Sequence, residues 1–357
     1  MGLQTENNFF GLDISDKSLR LVQLKNRGKK NLIISYNEVS IPEKIISNGD
    51  ILDSKKMIEL IKKTVKGAKG SKVSTKNVIA VLPETKTFIK VIDIDLDLNR
   101  EEKEGKKSSL EDLIKQEIVN HFPLDVSDIY MDWQVLKEET DKIKLLIGAV
   151  PKNISDSYVQ TLEKSGLSPQ ILEIEAAAII RSLIPATDHA PRIIIDFGAN
   201  RTGLIVYDRG TAQFTVSLPI SGERITKTIA DTLKIDLKKS EQVKIICGLD
   251  KEKCEGALRK VLFDAVNELA ESIKKSINYY QENYEGSGKI AEVMLCGGGA
   301  NFLKIDQVLQ EKIGLPVKIG NPLINEVINK KNGIPREKLL SYTTAIGLAL
   351  RPFEKKS

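Results

Sequence analysis

Apolar positions along the chain alternate between a period of about two and a period of about 3.6 residues, so strands and helices are interleaved as in an α/β protein. In the first half the pattern predicts strands at 32–39, 77–82, 87–94, 131–137, 142–150 and 170–173. Helices are predicted at 54–66, 110–121, 152–166 and 175–183, the second stopping before Pro123. The second half reads as a strand at 213–219, helices at 224–233 and 239–247, one long helix at 258–280, a buried strand at 293–296 and a helix from about 301 to 313. In the long helix Val261, Leu262, Ala265, Leu269, Ile273 and Ile277 recur at helical spacing and form a core-facing stripe. The section at about 83–150 interrupts the first half and reads as a small inserted subdomain, whose strands at 88–94 and 133–136 offer edges to an extended peptide. Within it the stretch 99–109 is too charged to pack and is expected to be mobile.

The pattern also repeats. Phe9-Phe10-Gly11-Leu12-Asp13-Ile14-Ser15 followed by apolar 19–24 matches Arg192-Ile193-Ile194-Ile195-Asp196-Phe197-Gly198 followed by apolar 202–207. Each copy is an apolar run ending in aspartate, a small residue two positions on, and a second apolar run: a β-hairpin whose tight turn can face a ligand. Such a turn lets backbone N–H groups approach phosphate oxygens, while an aspartate at the strand end can hold Mg²⁺ through water. Two lobes follow, 1–185 and 186–357, each opened by one copy. A third feature is Gly297-Gly298-Gly299 between the buried strand and the next helix, where the backbone can lie against a ligand and the helix N-terminus can offer its N–H groups.

Composition narrows the function. Lys and Arg number 54 against 49 acidic residues, a net +5 with the signs interspersed. Mild attraction to acidic membrane surfaces follows, but no concentrated basic stripe with aromatic platforms marks a nucleic-acid binder. The longest basic cluster, Lys62, Lys63, Lys66, Lys69 and Lys72, ends an amphipathic helix and reads as a solvated face. Cys247, Cys254 and Cys296, with only His121 and His189 beside them, support neither a disulfide scaffold nor a zinc site. The polar start and the lack of any run of roughly 18 apolar residues point to a cytoplasmic chain without direct membrane insertion.

In this order, the two Asp hairpins and the glycine-rich turn resemble the phosphate and adenosine motifs of the actin, Hsp70 and sugar-kinase superfamily. Within it the chain is most similar to the PilM family of type IV pilus assembly proteins. The likeness runs from Phe10 to Leu350 and includes Gly166-Leu167-Ser168-Pro169, Ser221-Gly222 with Ile225-Thr226, Glu241-Gln242-Val243-Lys244 and Gly314-Leu315-Pro316-Val317. The resemblance implies an actin-like ATPase (ribonuclease H-like) α/β fold of two duplicated lobes with the insertion in the first. It implies ATP and Mg²⁺ as ligands, with Asp13 and Asp196 at the metal and Ser15, Lys17, Ser18, Gly198, Ala199, Asn200 and Thr202 lining the two turns. It further sets Gly222 near the phosphates, Glu241 and Lys244 beside ribose or adenine, Gly297, Gly298 and Gly299 along the nucleotide, and Glu175 where relatives orient the attacking water. Ser15 and Glu223 depart from the glycines common in relatives; Ser15 can still offer its backbone N–H, but its Cβ is expected to crowd the close approach and to limit φ > 0.

With Glu175 the sole candidate for orienting water, ATP turnover is expected to be slow or absent. The implied partner is the short cytoplasmic N-terminal peptide of a PilN-like inner-membrane protein, docked between the main lobe and the insertion, with other pilus platform proteins nearby and self-association open. That places the chain in the cytoplasm, at the membrane through its partners. The competing readings are an FtsA-like or MreB-like filament protein, a kinase of the same superfamily, and the related scaffold of type II secretion.

Overall fold

A computed structural model describes residues 8–95, 110–121, 125–325, 327–331 and 333–354. The charged stretch 99–109 and Pro123 lie outside them.

Two sheets carry the molecule. The first runs Ser168–Ile174, Asn77–Leu82, Phe10–Ile14, Ser18–Arg27, Lys30–Ser40, Val327–Ile328, with Lys69–Gly70 also pairing with Lys30–Ser40. The second runs Val317–Ile319, Glu292–Cys296, Arg192–Phe197, Thr202–Asp208, Thr211–Leu218, Phe88–Asp95, Lys142–Pro151, Ile129–Glu138. The sequence repeat is a repeat of topology. In each sheet the Asp-bearing strand has a parallel neighbour on one side and its own antiparallel hairpin partner on the other, followed by a third antiparallel strand. The registers set Asp13 opposite Arg20 and Asp196 opposite Gly203.

The insertion attaches where the chain order does not suggest. Its strands continue the second sheet, joined to it through Phe214 opposite Lys90. Phe88–Asp95 is therefore enclosed between Lys142–Pro151 and Thr211–Leu218. The expectation of an edge at 88–94 is corrected: the outermost strand is Ile129–Glu138.

Each sheet has its own core. Leu12, Leu19, Leu21 and Val78 pack under Met57 and Ile61 of helix Ser54–Lys66 and Tyr158 and Leu162 of helix Lys152–Lys164. Ile193, Ile195, Leu204 and Val206 pack with Leu269 and Ile273 of helix Phe263–Asn283. Between the sheets lie helices Glu175–Leu183 and Thr343–Leu350. Ile179 and Leu183 of the first meet Ile194 and Ile205, whereas Ala178 and Leu348 meet Ile79 and Val81. The two helices touch at Gly347, where a Cβ would run into the backbone of Ala178. Arg181 fixes the crossing: its guanidinium bonds Glu173 at 2.7 and 2.5 Å and donates to the Gly347 carbonyl at 3.0 Å.

Three other expectations change. The long helix is divided at Leu262, where φ −99° and ψ 5° end Ala257–Val261 before Phe263–Asn283 begins. The glycines themselves wind into the short 3₁₀ turn Gly298–Asn301, and left-handed Lys304 delays the helix to Ile305–Ile313, so no long helix starts at the glycines. Cys247 and Cys254 form a disulfide, because Gly248 at φ 52° ends helix Leu237–Cys247 and turns the chain back until the two Cα atoms are 5.8 Å apart.

Candidate functional site

Both hairpin turns open into one cavity of 740 Å³ lined from the two halves. Its walls include Asp13, Ser15, Lys17, Ser18, Glu175, Asp196, Gly198, Ala199, Asn200, Gly222, Glu241, Lys244 and Gly297, Gly298 and Gly299. Thr202 is the exception among the expected residues. It is buried and spends its hydroxyl on the Ile220 carbonyl at 2.7 Å, holding the approach to Ser221 rather than lining the cavity.

The turns are built differently. Ser15 N–H donates to the Ser18 carbonyl at 3.0 Å, and Ser15 Oγ lies 3.1 Å from both that carbonyl and the Ser18 hydroxyl. The serine thus closes its own turn without a positive φ. In the second turn Gly198 N–H donates to the Arg201 carbonyl at 3.0 Å. The N–H groups of Asp16, Lys17, Ala199 and Asn200 have no partner among the described residues, so the two turns present donors to an anionic oxygen. Gly222 does not: its N–H donates to Gly198 O at 3.1 Å and that of Glu223 to Ala199 O at 2.9 Å, which ties the capped start of helix Gly222–Leu233 to the second turn.

Carboxylates crowd the floor. Burial, only partly offset by Arg20, pushes the Asp13 carboxyl up to about 6, with Asp196 adding to the rise. Asp196 is raised by burial, and Glu175 well above the usual range by burial and then by Asp196 and Asp13. Asp13 Oδ2 is 3.5 Å from Arg20 Nη1, while buried Asp13 Oδ1 makes no hydrogen bond. That orphaned oxygen beside a second aspartate fits a divalent cation. Among the described residues no group of three or more His, Cys, Asp or Glu could hold an ion by itself. Mg²⁺ would therefore take its remaining ligands from water and from phosphate oxygens, as it commonly does.

Four residues here escaped the sequence pattern. Arg20 compensates Asp13 and bonds Glu38 Oε1 at 3.0 Å. Arg201, in the second turn, forms an ion pair with buried Glu84 and bonds Glu175 Oε2 at 2.6 Å. Glu175 thus lines the cavity with one oxygen already engaged. The readable signal was a charge within the second hairpin turn, Gly198-Ala199-Asn200-Arg201; Glu84 and Glu38 carried none. On the opposite wall Lys244 Nζ reaches Glu241 Oε2 at 2.6 Å, Thr226 Oγ1 at 2.8 Å and Gly222 O at 3.2 Å. The helix-face pair and the cavity lining are the same two residues.

With the geometry in hand, the sequence matches the family described as Type IV pilus assembly protein PilM over residues 11–353. Among curated proteins it is 25% identical over 189 residues to the cell division protein FtsA of Borreliella burgdorferi, covering 46% of this chain and 43% of that protein. The matches span 43% and 52% of the first two such relatives, about half their length. Among solved structures, a PilM-PilN type IV pilus biogenesis complex superposes at a TM-score of 0.78 with 19% identity, over 98% of this chain and 100% of that one. MreB5 of Spiroplasma citri bound to ADP gives 0.56 and 16%, over 97% and 95%. These likenesses show an actin-like fold.

Proposed function

We propose, from the premise that this chain belongs to the type IV pilus assembly protein PilM family, that it is an Mg²⁺- and ATP-binding member that docks a short peptide of a PilN-like membrane protein and turns nucleotide over slowly or not at all. The observation that carries the nucleotide reading is Asp13 Oδ1, a buried carboxylate oxygen without a partner at the point where two donor-lined turns converge. Phosphates would be held by the free N–H groups of the turns and by Lys17, with Asp13 and Asp196 supporting the ion. Lys244, Glu241 and the glycine turn would flank the nucleoside. The partner reading rests on the fold shared with a protein solved as a PilM-PilN complex, and on the outer strand Ile129–Glu138. Docking that peptide would hold the chain at the membrane, and among the described residues no helix is long and apolar enough to cross one.

Slow turnover follows from Glu175, whose engagement by Arg201 competes with orienting a water molecule. Calorimetry of Mg·ATP binding tests the site. Asp13→Ala and Asp196→Ala should each weaken affinity by at least the roughly 10- to 100-fold that removing support from a metal costs. Unchanged affinity in both variants would remove the assignment.

A further inference from the structure

The helix Ser54–Lys66 buries Met57, Ile61 and Thr64 against the first core. Its opposite side carries Lys55, Lys56, Lys62, Lys63 and Lys66, all exposed, and the chain that follows adds exposed Lys69, Lys72 and Lys76. At 100° per residue the five helical lysines fall within an arc of about 120° centred away from the core, so they form one stripe. Lys69–Gly70 pairs with strand Lys30–Ser40, which anchors the continuation of the stripe to the first sheet.

The charge of this face is concentrated. Residues 54–76 hold eight lysines against Glu59 alone, a net +7, whereas the whole chain is +5, leaving the remainder at −2. Elsewhere exposed cations commonly meet carboxylates. Here, among the described residues, Lys56 pairs with Asp53 at 3.3 Å and Lys69 lies 5.9 Å from the Tyr36 ring centroid, and the other six form no ion pair. A solvated helix in a chain of mixed charge does not require such segregation.

We propose that this face binds the anionic headgroups of a lipid bilayer surface. The stripe holds lysine and no arginine, although arginine holds carboxylates at largely buried ion pairs such as those of Arg181, Arg192 and Arg201. Arginine's fork suits fixed bidentate phosphate contacts, whereas lysine offers a hydrated point charge suited to diffuse attraction by a charged plane. Among the described residues Tyr36, itself buried, is the one ring with a lysine of this face over it, too little for the stacking platforms of a nucleic-acid groove. The excess positive charge gathers on this face while the remainder, at −2, is close to neutral, so an anionic plane would attract this face above the rest. The contact needs neither nucleotide nor peptide and would present one fixed side of the first lobe to the membrane.

Each lysine near an anionic bilayer contributes roughly fivefold to partitioning, and the attraction decays within a Debye length. The test is co-sedimentation of the full chain with vesicles of phosphatidylcholine, with and without phosphatidylglycerol. Binding should require phosphatidylglycerol and should disappear between about 0.1 M and about 1 M salt, as the Debye length falls from ~10 to ~3 Å. Combining Lys62→Ala, Lys63→Ala, Lys66→Ala and Lys72→Ala should weaken it by about 600-fold, and arginine at the same four positions should retain it. A control combining Lys238→Ala, Lys251→Ala, Lys253→Ala and Lys260→Ala removes the same charge from exposed sites on the second half and should leave it nearly unchanged. Equal loss in both alanine sets would mean that net charge alone acts, and the face would have no role. Binding to phosphatidylcholine alone, or duplex DNA stripping the wild-type chain from vesicles at matched anion concentration, would likewise overturn the proposal.

Discussion

At the scale of single residues, Asp13 ties the stability of the nucleotide-free protein to its ligand chemistry. Its carboxyl is raised from 3.8 to about 6, chiefly by burial. A carboxyl raised on folding holds its proton more tightly in the folded than in the unfolded chain, so relative stability falls as pH climbs from about 4 through about 6 and stays lower above. The cost at pH 8 is at most about 3 kcal/mol, the equivalent of that shift. Asp13→Asn removes it. In thermal unfolding without ligand the variant should be at least as stable as wild type at pH 8, with the advantage gone near pH 4, while Mg·ATP affinity is lost at both. A variant much less stable at pH 8 would show that the Asp13–Arg20 contact outweighs burial. Sequence spacing singled out Asp13 because strand-end aspartates recur in the repeat. It was silent on Arg20, because a cross-strand partner depends on register, and the same register in the other copy holds Gly203.

At the scale of elements, the boundaries of helices Ser54–Lys66, Leu110–His121 and Glu175–Leu183 and of strand Asn77–Leu82 are legible in the periodicity alone. What periodicity does not encode is which sheet a strand joins. Phe88–Asp95 buries Ile89 and Val91 on one face and Ile92 and Ile94 on the other, and nothing in that pattern says that its two neighbours are Lys142–Pro151 and Thr211–Leu218. The late start of helix Ile305–Ile313 was equally illegible, since left-handed Lys304 is a backbone choice that no apolar pattern marks. The open edge at Ile129–Glu138 gives the partner reading a direct test. In an antiparallel edge strand, successive residues point their N–H alternately into the ladder and out to solvent. Of the adjacent exposed pair Gln134 and Val135, proline at one position should therefore break pairing with Lys142–Pro151, while proline at the other should spare the fold and remove a donor that an added strand would use. A PilN-like N-terminal peptide, followed by fluorescence anisotropy, should lose affinity for the folded variant of the two. Undiminished binding by that variant would place the peptide elsewhere.

At the scale of the whole molecule, the duplicated halves meet across the cleft through contacts made by the same turns that would hold phosphates. Lys17 Nζ of the first turn bonds Glu223 Oε1 at 2.8 Å, and Asn200 of the second turn donates to Asp16 Oδ2 at 2.7 Å. Arg201 reaches across to Glu84 and Glu175. Asp16 also accepts from the N–H groups of Asn48 at 2.7 Å and Gly49 at 3.0 Å, so the first turn is tied to its own lobe as well as to the other. Behind the turns, the fully buried helix Thr343–Leu350 and its contact at Gly347 keep the halves packed, so the cleft contacts can exchange partners without separating the lobes. The carboxylate of Glu223 occupies the lysine that an entering phosphate would need. Both side chains of that pair are partly exposed, so the pair contributes at most about 1 kcal/mol. Replacing the carboxylate therefore frees Lys17 at little cost to the fold. Glu223→Gln should raise Mg·ATP affinity two- to fivefold by calorimetry, the equivalent of up to about 1 kcal/mol, with the gain shrinking in high salt as screening weakens the competing pair. Lys17→Ala should lower affinity, and combining it with Glu223→Gln should abolish the gain, because the two changes act on one contact. Glu223→Gln binding no more tightly than wild type, or raising affinity equally with and without Lys17, would show that the pair across the cleft does not compete with the nucleotide.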